Sequence, residues 1–145
     1  MAKKKVGLKV PTANELSKRY GDMIVSASDT KESGLWLPST FFMLNYTFGG
    51  GIPFGKILEV AGEESSGKSL IAYNFAYTTQ QLGGHVIWVD AEQAWMNSWA
   101  QENGVDPNGV TVIRDTRIEN IADALADVAI YWRSQLTHNE PILLV

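Results

Sequence analysis

One stretch of the chain, Gly62-Glu63-Glu64-Ser65-Ser66-Gly67-Lys68-Ser69, has the residue types and spacing of a phosphate-binding loop, G-x-x-x-x-G-K-[ST]. Its glycines let the backbone curl so that successive amides point inward, and Lys68 can bridge the outer oxygens of a polyphosphate. Ser69 offers a hydroxyl to magnesium, so phosphate and Mg2+ chemistry is what this pattern supports. The competing reading is a glycine-rich turn with Lys68 in solvent, and the strand-like and helical patterns on either side weigh against it. A second group, Asp90-Ala91-Glu92, follows an apolar run. A carboxylate near a terminal phosphate can orient and partly deprotonate an attacking water, but an acid after a strand can equally cap the next helix. Trp95 and Trp99 are four apart and would share a helical face, where either could stack on a purine or pack into the core. His85 and His138 stand alone without ligand spacing and receive no role.

These groups need elements to hold them. Residues 56–61 read as a buried strand leading into the loop, and residues 69–82 as a helix, with Ile71, Phe75, Thr78 and Leu82 at helical spacing before Gly83-Gly84. Further strands are expected at 85–90, 110–113 and 141–145, and a short helix at 95–103, closed by Gly104. Thr116-Arg117-Ile118-Glu119 reads as a capping box that opens a helix running to about Leu136, with Ile121, Leu125, Val128, Trp132 and Leu136 on one face. Upstream, Thr12 and Glu15 form another capping box for a helix over 13–20. A short helix over 41–46 is ended by Gly49-Gly50-Gly51, and 52–55 read as a turn. The alternation predicts an α/β fold with a mostly parallel sheet flanked by helices. The carboxyl ends of its strands share one edge, which places Asp90 and Glu92 beside the loop.

Composition narrows the rest. The chain has 145 residues, 45% of them hydrophobic, enough for a core without covalent staples. The absence of cysteine removes disulfides, thiolate metal sites and cysteine nucleophiles. No apolar run is long enough to cross a bilayer, and the basic start is too short and too charged for a signal peptide, so a cytoplasmic protein without a membrane partner is expected. Residues 1–19 carry six basic groups and one acidic group, leaving six and fifteen for the remainder of a chain of net charge -4. Such an arm could contact phosphates or an acidic surface, or stay solvated. Residues 1–34 are therefore expected to hold a basic arm, a short helix and a linker, and 35–145 the core. The apolar run at 141–145 gives the expectation that the chain is the N-terminal part of a longer protein.

Taken together, the segment Gly50-Gly51-Ile52-Pro53-Phe54-Gly55-Lys56-Ile57, the loop, Val89-Asp90-Ala91-Glu92-Gln93-Ala94 and Asn103-Gly104-Val105-Asp106 resemble the RecA/RadA recombinase family over roughly residues 37–145. The resemblance implies a RecA-like P-loop ATPase core, incomplete at the C-terminus because it ends just before the family's Walker B aspartate. It implies ATP and Mg2+ as cofactors, with Gly62, Glu63, Glu64, Ser65, Ser66, Gly67, Lys68 and Ser69 on the nucleotide and Ser69 on the metal. Glu92 falls at the family's catalytic glutamate, which activates water, and Lys68 acts with it. Trp99 falls where the family places an adenine-stacking tyrosine, and Met96 where bacterial RecA usually has an aspartate. The implied function is an ATP-dependent recombinase that forms filaments on single-stranded DNA and promotes strand exchange, through DNA-binding loops beyond residue 145. The chain alone is then expected to hydrolyse ATP poorly. Two other readings share the core: a nucleotide-binding switch or assembly module without recombinase activity, and a replicative helicase, which would lack the Gly50 to Lys56 approach segment.

Overall fold

The computed structural model describes residues 11–23 and 34–145. The chain divides into two units, Met1–Glu32 and Ser33–Val145. In the first, helix α1 (Ala13–Tyr20) begins at the expected box: Glu15 N donates to Thr12 Oγ1 at 3.4 Å, and Thr12 N to Glu15 Oε2 at 2.9 Å. Gly21, at φ 61°, ends it in a backbone region that residues with a Cβ rarely enter. The basic arm itself lies outside the described residues.

The second unit is built on a parallel sheet of β3 (His85–Val89), β4 (Val110–Ile113) and β5 (Ile142–Leu144), in the order β4-β3-β5. Val86 stands opposite Val110 and Leu143, which puts β3 in the middle. Its side chains alternate between faces. Val86 packs with Tyr73 and Ala76 of helix α3 (Lys68–Gln81), with Ala100 of helix α4 (Asn97–Glu102), and with Val105. On the opposite face His85 stacks on Trp132 of helix α5 (Ile118–Gln135), ring centroids 3.6 Å apart. Helices thus cover both faces, and the α/β class with a parallel sheet flanked by helices is as expected. Val86 and Ile87 are fully buried, each stabilising the fold by about 1.5–3 kcal/mol.

Ahead of the sheet lie β1 (Trp36–Leu37), helix α2 (Phe42–Phe48) and β2 (Ile52–Pro53). Helix α2 stops at Gly49, φ 72°, as the glycine run predicts. Asn74 of α3 ties this region down, accepting from Ser39 Oγ at 2.7 Å and Thr40 N at 3.0 Å. Among the described residues no helix is long and apolar enough to cross a membrane.

Five expectations need correction. Residues 56–61 form no strand: they lead into the loop without a ladder partner among the described residues, and Ile57 is 99% exposed. An apolar run becomes a strand only where another strand's edge takes its N–H and C=O groups. Here a groove of about 1430 Å3, lined by Ile57, Leu58 and Val60 and by Ile142 to Val145, lies between the segment and β5. Residues 52–53 are not part of a turn but pair antiparallel with β1, Leu37 opposite Ile52, and Phe54 N donates to Leu35 O at 3.0 Å. The Thr116 box is absent. Asp115 takes its place, accepting from Thr116 N at 2.8 Å and Arg117 N at 2.9 Å, because its carboxylate reaches both free amides ahead of the helix. Helix α4 starts at Asn97, so Trp95 and Trp99 share no helical face. Finally, Leu82 is 45% exposed, and α3 buries Tyr73 and Thr79 in addition to Phe75 and Thr78.

Candidate functional site

The loop from Gly62 to Gly67 closes on itself. A Cβ at Gly62 would stand 2.6 Å from Ser66 Oγ, and Ser66 N donates to Glu63 O at 3.3 Å. Ser65 and Gly67 have φ of 60° and 92°, left-handed values that bend the chain into the start of α3. Gly67 is the N-cap residue and has no side-chain acceptor, so the first-turn amides of α3 are not capped by it. Lys68 lies over the loop, Nζ donating to Gly62 O at 3.0 Å and Glu63 O at 2.7 Å. An ammonium on two neutral carbonyls, uncapped helix amides and the Ser69 hydroxyl form a donor set that matches a polyphosphate with its metal.

Ser69 also lines a cleft of about 620 Å3 that extends past Asp90 and Glu92 to Trp95, Met96 and Trp99. That volume lies within the range of small-molecule sites, about 300–1,000 Å3. Its floor is aromatic. Tyr73 stacks on Trp88 at 4.7 Å between centroids, and Trp95 closes the group at 5.5 Å from Tyr73 and 5.1 Å from Trp88. Trp95 therefore belongs to the packed cluster, while Trp99 remains 43% exposed. Burial, reinforced by the charge of Asp90, raises the Tyr73 hydroxyl above its ordinary pKa.

The two carboxylates are placed very differently. Asp90 is 4% exposed and accepts from Ala94 N at 2.8 Å, Trp95 N at 3.2 Å and Arg114 Nε at 3.2 Å. It holds the turn that follows β3, in which Gln93 takes a left-handed φ of 53° and donates its N–H to Asp90 O at 3.3 Å. Glu92, on the outside of that turn, is exposed and lines the cleft, with no hydrogen-bond or ion-pair partner among the described residues. The structure thus brings Ser69, Glu92 and Trp99 to one cleft. Lys68 and the loop lie where α3 begins, and Trp95 goes to the floor.

Three residues of the site went unread in the sequence. Tyr73 follows Ser69 by four, so both lie on one side of α3, which is a readable sign. Trp88 alternates with Val86 in β3, so it shares the face toward α3. Arg114 directly follows β4, at the same strand-end edge as Asp90.

Comparison with known proteins gives a match of residues 10–130 to the family model of the RecA N-terminal domain. The chain is 38% identical to protein RecA of Ruminococcus albus over 94 residues, which is 62% of the chain and 24% of that relative. It is 37% identical to protein RecA of Rhodopirellula baltica over 112 residues, 75% of the chain and 30% of the relative. Over 74 residues it is 38% identical to the DNA repair protein recA homolog 1, chloroplastic, of Arabidopsis thaliana, covering 51% and 17%. The chain spans less than a third of the length of these curated relatives.

Proposed function

Since the chain belongs to the RecA family, we propose that it supplies the ATP-binding part of a cytoplasmic DNA recombinase, one that assembles as a filament on single-stranded DNA and promotes homologous pairing and strand exchange. The observation that carries this reading is the loop, its Lys68 resting on exchangeable carbonyls, opening into a cleft that holds Ser69 and a Glu92 without a partner among the described residues. We assign the core to residues 35–145, with residues 1–34 as arm, helix and linker.

In this mechanism Lys68 trades the carbonyls of Gly62 and Glu63 for phosphate oxygens, a neutral pair of acceptors for charged ones. The first-turn amides of α3 donate to the same phosphates, and the Ser69 hydroxyl would hold Mg2+ there. Bound Mg2+ supplies positive charge at the phosphates where negative charge develops. Glu92, without another partner among the described residues, holds a water at the terminal phosphate and accepts its proton. Trp99 offers its ring to the adenine. Contacts between subunits would couple the nucleotide state to DNA affinity.

The test is turnover of ATP with and without single-stranded DNA, measured on the chain and on the longer protein that contains it. The longer protein should hydrolyse ATP faster when DNA is added and lose that activity with Lys68→Ala, while the chain alone should turn over ATP poorly. ATP binding without DNA-stimulated turnover in the longer protein would favour a switch or assembly module instead.

A further inference from the structure

Glu92 sits in the middle of the turn after β3, where residues 91–94 are all exposed. Buried side chains therefore do not fix this stretch, and its shape rests on hydrogen bonds to its backbone. Three of these run to one residue: Gln93 N donates to Asp90 O at 3.3 Å, Ala94 N to Asp90 Oδ1 at 2.8 Å and Trp95 N to Asp90 Oδ2 at 3.2 Å. The Asp90 carboxylate is in turn held from the neighbouring strand. Arg114, the first residue after β4, donates from Nε to Asp90 Oδ2 at 3.2 Å, and its Nη2 donates to Trp95 O at 3.5 Å. One planar guanidinium thus spans both ends of the turn, a reach that its fork of donors permits. Arg114 itself does not line the cleft.

We propose that Arg114 is a positioning residue for hydrolysis: by clasping Asp90 and the Trp95 carbonyl it closes the turn, and the closed turn sets where the Glu92 carboxylate stands in the cleft. The inference rests on the reading of Glu92 as the base that activates water, and adds the group that acts through it. Without the guanidinium, the Asp90 carboxylate loses its charged partner and the turn loses the bond that joins its ends. The left-handed φ of 53° at Gln93, unfavourable for a residue with a Cβ, is then imposed less firmly. The turn relaxes to other shapes, and Glu92 spends less time where it can take a proton from water at the terminal phosphate. Nucleotide binding stands apart from this. Lys68 and Ser69 belong to α3, and the far end of the turn is anchored separately, by the ring contacts of Trp95 with Tyr73 and Trp88 and by the fully buried Ala100. Arg114 thus governs the rate of the chemical step and not the affinity for ATP.

The test is ATP turnover with single-stranded DNA in the longer protein, comparing the parent with Arg114→Ala, Arg114→Lys and Glu92→Gln. Arg114→Ala should lower kcat by at least about three-fold, and by up to about 100-fold, the scale of a catalytic group misplaced by about 1 Å. Its KM for ATP should stay within about three-fold of the parent's, the mark of an interaction felt in the transition state alone. In Arg114→Lys, a charge without the fork, the loss of kcat should be smaller but still at least about two-fold. A kcat unchanged in Arg114→Ala overturns the proposal, as does a larger rise in KM, which would put Arg114 in nucleotide binding. Parent kcat in Arg114→Lys overturns the two-ended clasp, and this variant decides the matter where the alanine variant does not fold. Amide hydrogen exchange in the chain supplies a readout besides activity. The Ala94 and Trp95 amides should exchange at least about three-fold faster in Arg114→Ala while those of Val86 and Ile87 keep their protection. A lower kcat with the Ala94 and Trp95 amides as protected as in the parent overturns the route through the turn. Should the parent fail to hydrolyse ATP, or Glu92→Gln keep the parent's kcat, the reading of Glu92 falls and the proposal with it. An inactive Glu92→Gln beside a fully active Arg114→Ala overturns this proposal alone.

Discussion

Two carboxylates separated by one residue, Asp90 and Glu92, serve different ends because their surroundings differ. Asp90 is buried and takes three donors, whereas Glu92 is exposed with none among the described residues. Asp90→Ala should therefore destabilise the fold by roughly 2–3 kcal/mol, the scale of hydrogen bonds to a charged group, measured as a fall in the urea midpoint. Glu92→Gln should leave that midpoint unchanged and leave ATP affinity nearly unchanged, while removing turnover in the longer protein. An Asp90→Ala variant as stable as the parent would mean the turn after β3 is held by something else. The sequence already offered both acids and the choice between base and cap, but it could not divide the roles. The division depends on Arg114, which stands 24 positions from Asp90 and reaches it only after β3 and β4 have paired. Trp95 and Trp99 escaped for a similar reason. The amide of Trp95 is held by the Asp90 carboxylate in the turn after β3, and the helix begins only at Asn97.

At the scale of elements, boundaries set by local chemistry could be read, and those set by distant partners could not. The box at Thr12 and Glu15 and the glycine stop at Gly49 were legible because their donors and acceptors lie within a few residues. The structure starts α5 one residue later than the Thr116 pattern predicts, because the longer reach of Asp115 takes the amides that Thr116 would cap. Thermal unfolding separates the two: Asp115→Ala should lower the Tm, and Thr116→Ala should not. The Asp115 carboxyl is held at about 2, below its ordinary 3.8, chiefly by hydrogen bonds from Asn120 and then from the Arg117 amide. Because the folded value is the lower one, this contribution is complete above about pH 4 and is lost as pH falls toward 2. His85, in the strand that α5 covers, acts in the opposite charge sense. Burial lowers its pKa from the ordinary 6.5, so the fold favours neutral imidazole. Its contribution is complete above 6.5 and declines as pH falls below that, where the unfolded chain takes up the proton first. The urea midpoint should thus drop between pH 7 and pH 5, and His85→Gln should flatten the drop. An equal drop in that variant would assign it to another group.

For the molecule as a whole, the α/β class and the helix-covered parallel sheet followed from the alternation of elements, because that pattern belongs to the chain itself. Residues 56–61 show the limit: their apolar run was plain, but strand formation needs a neighbouring edge, which the run does not encode. The same gap leaves β5 paired on one side only among the described residues, next to the apolar groove, with Leu144 49% exposed. An unpaired edge with exposed apolar side chains is a template for another chain. The protein should sediment as oligomers at micromolar concentration, and Leu144→Lys should shift it toward monomer. An unchanged sedimentation profile would place the contact elsewhere. The ring cluster of Tyr73, Trp88 and Trp95 bears on how such a molecule would lose its order. Because these rings lie within 5.5 Å of one another, held by a helix, a strand and a turn, their electronic transitions are coupled and chiral. Near-ultraviolet circular dichroism would then register loosening of the cleft floor while the far-ultraviolet helix signal still persists. The floor on which a nucleotide would rest is its own optical gauge of tertiary order.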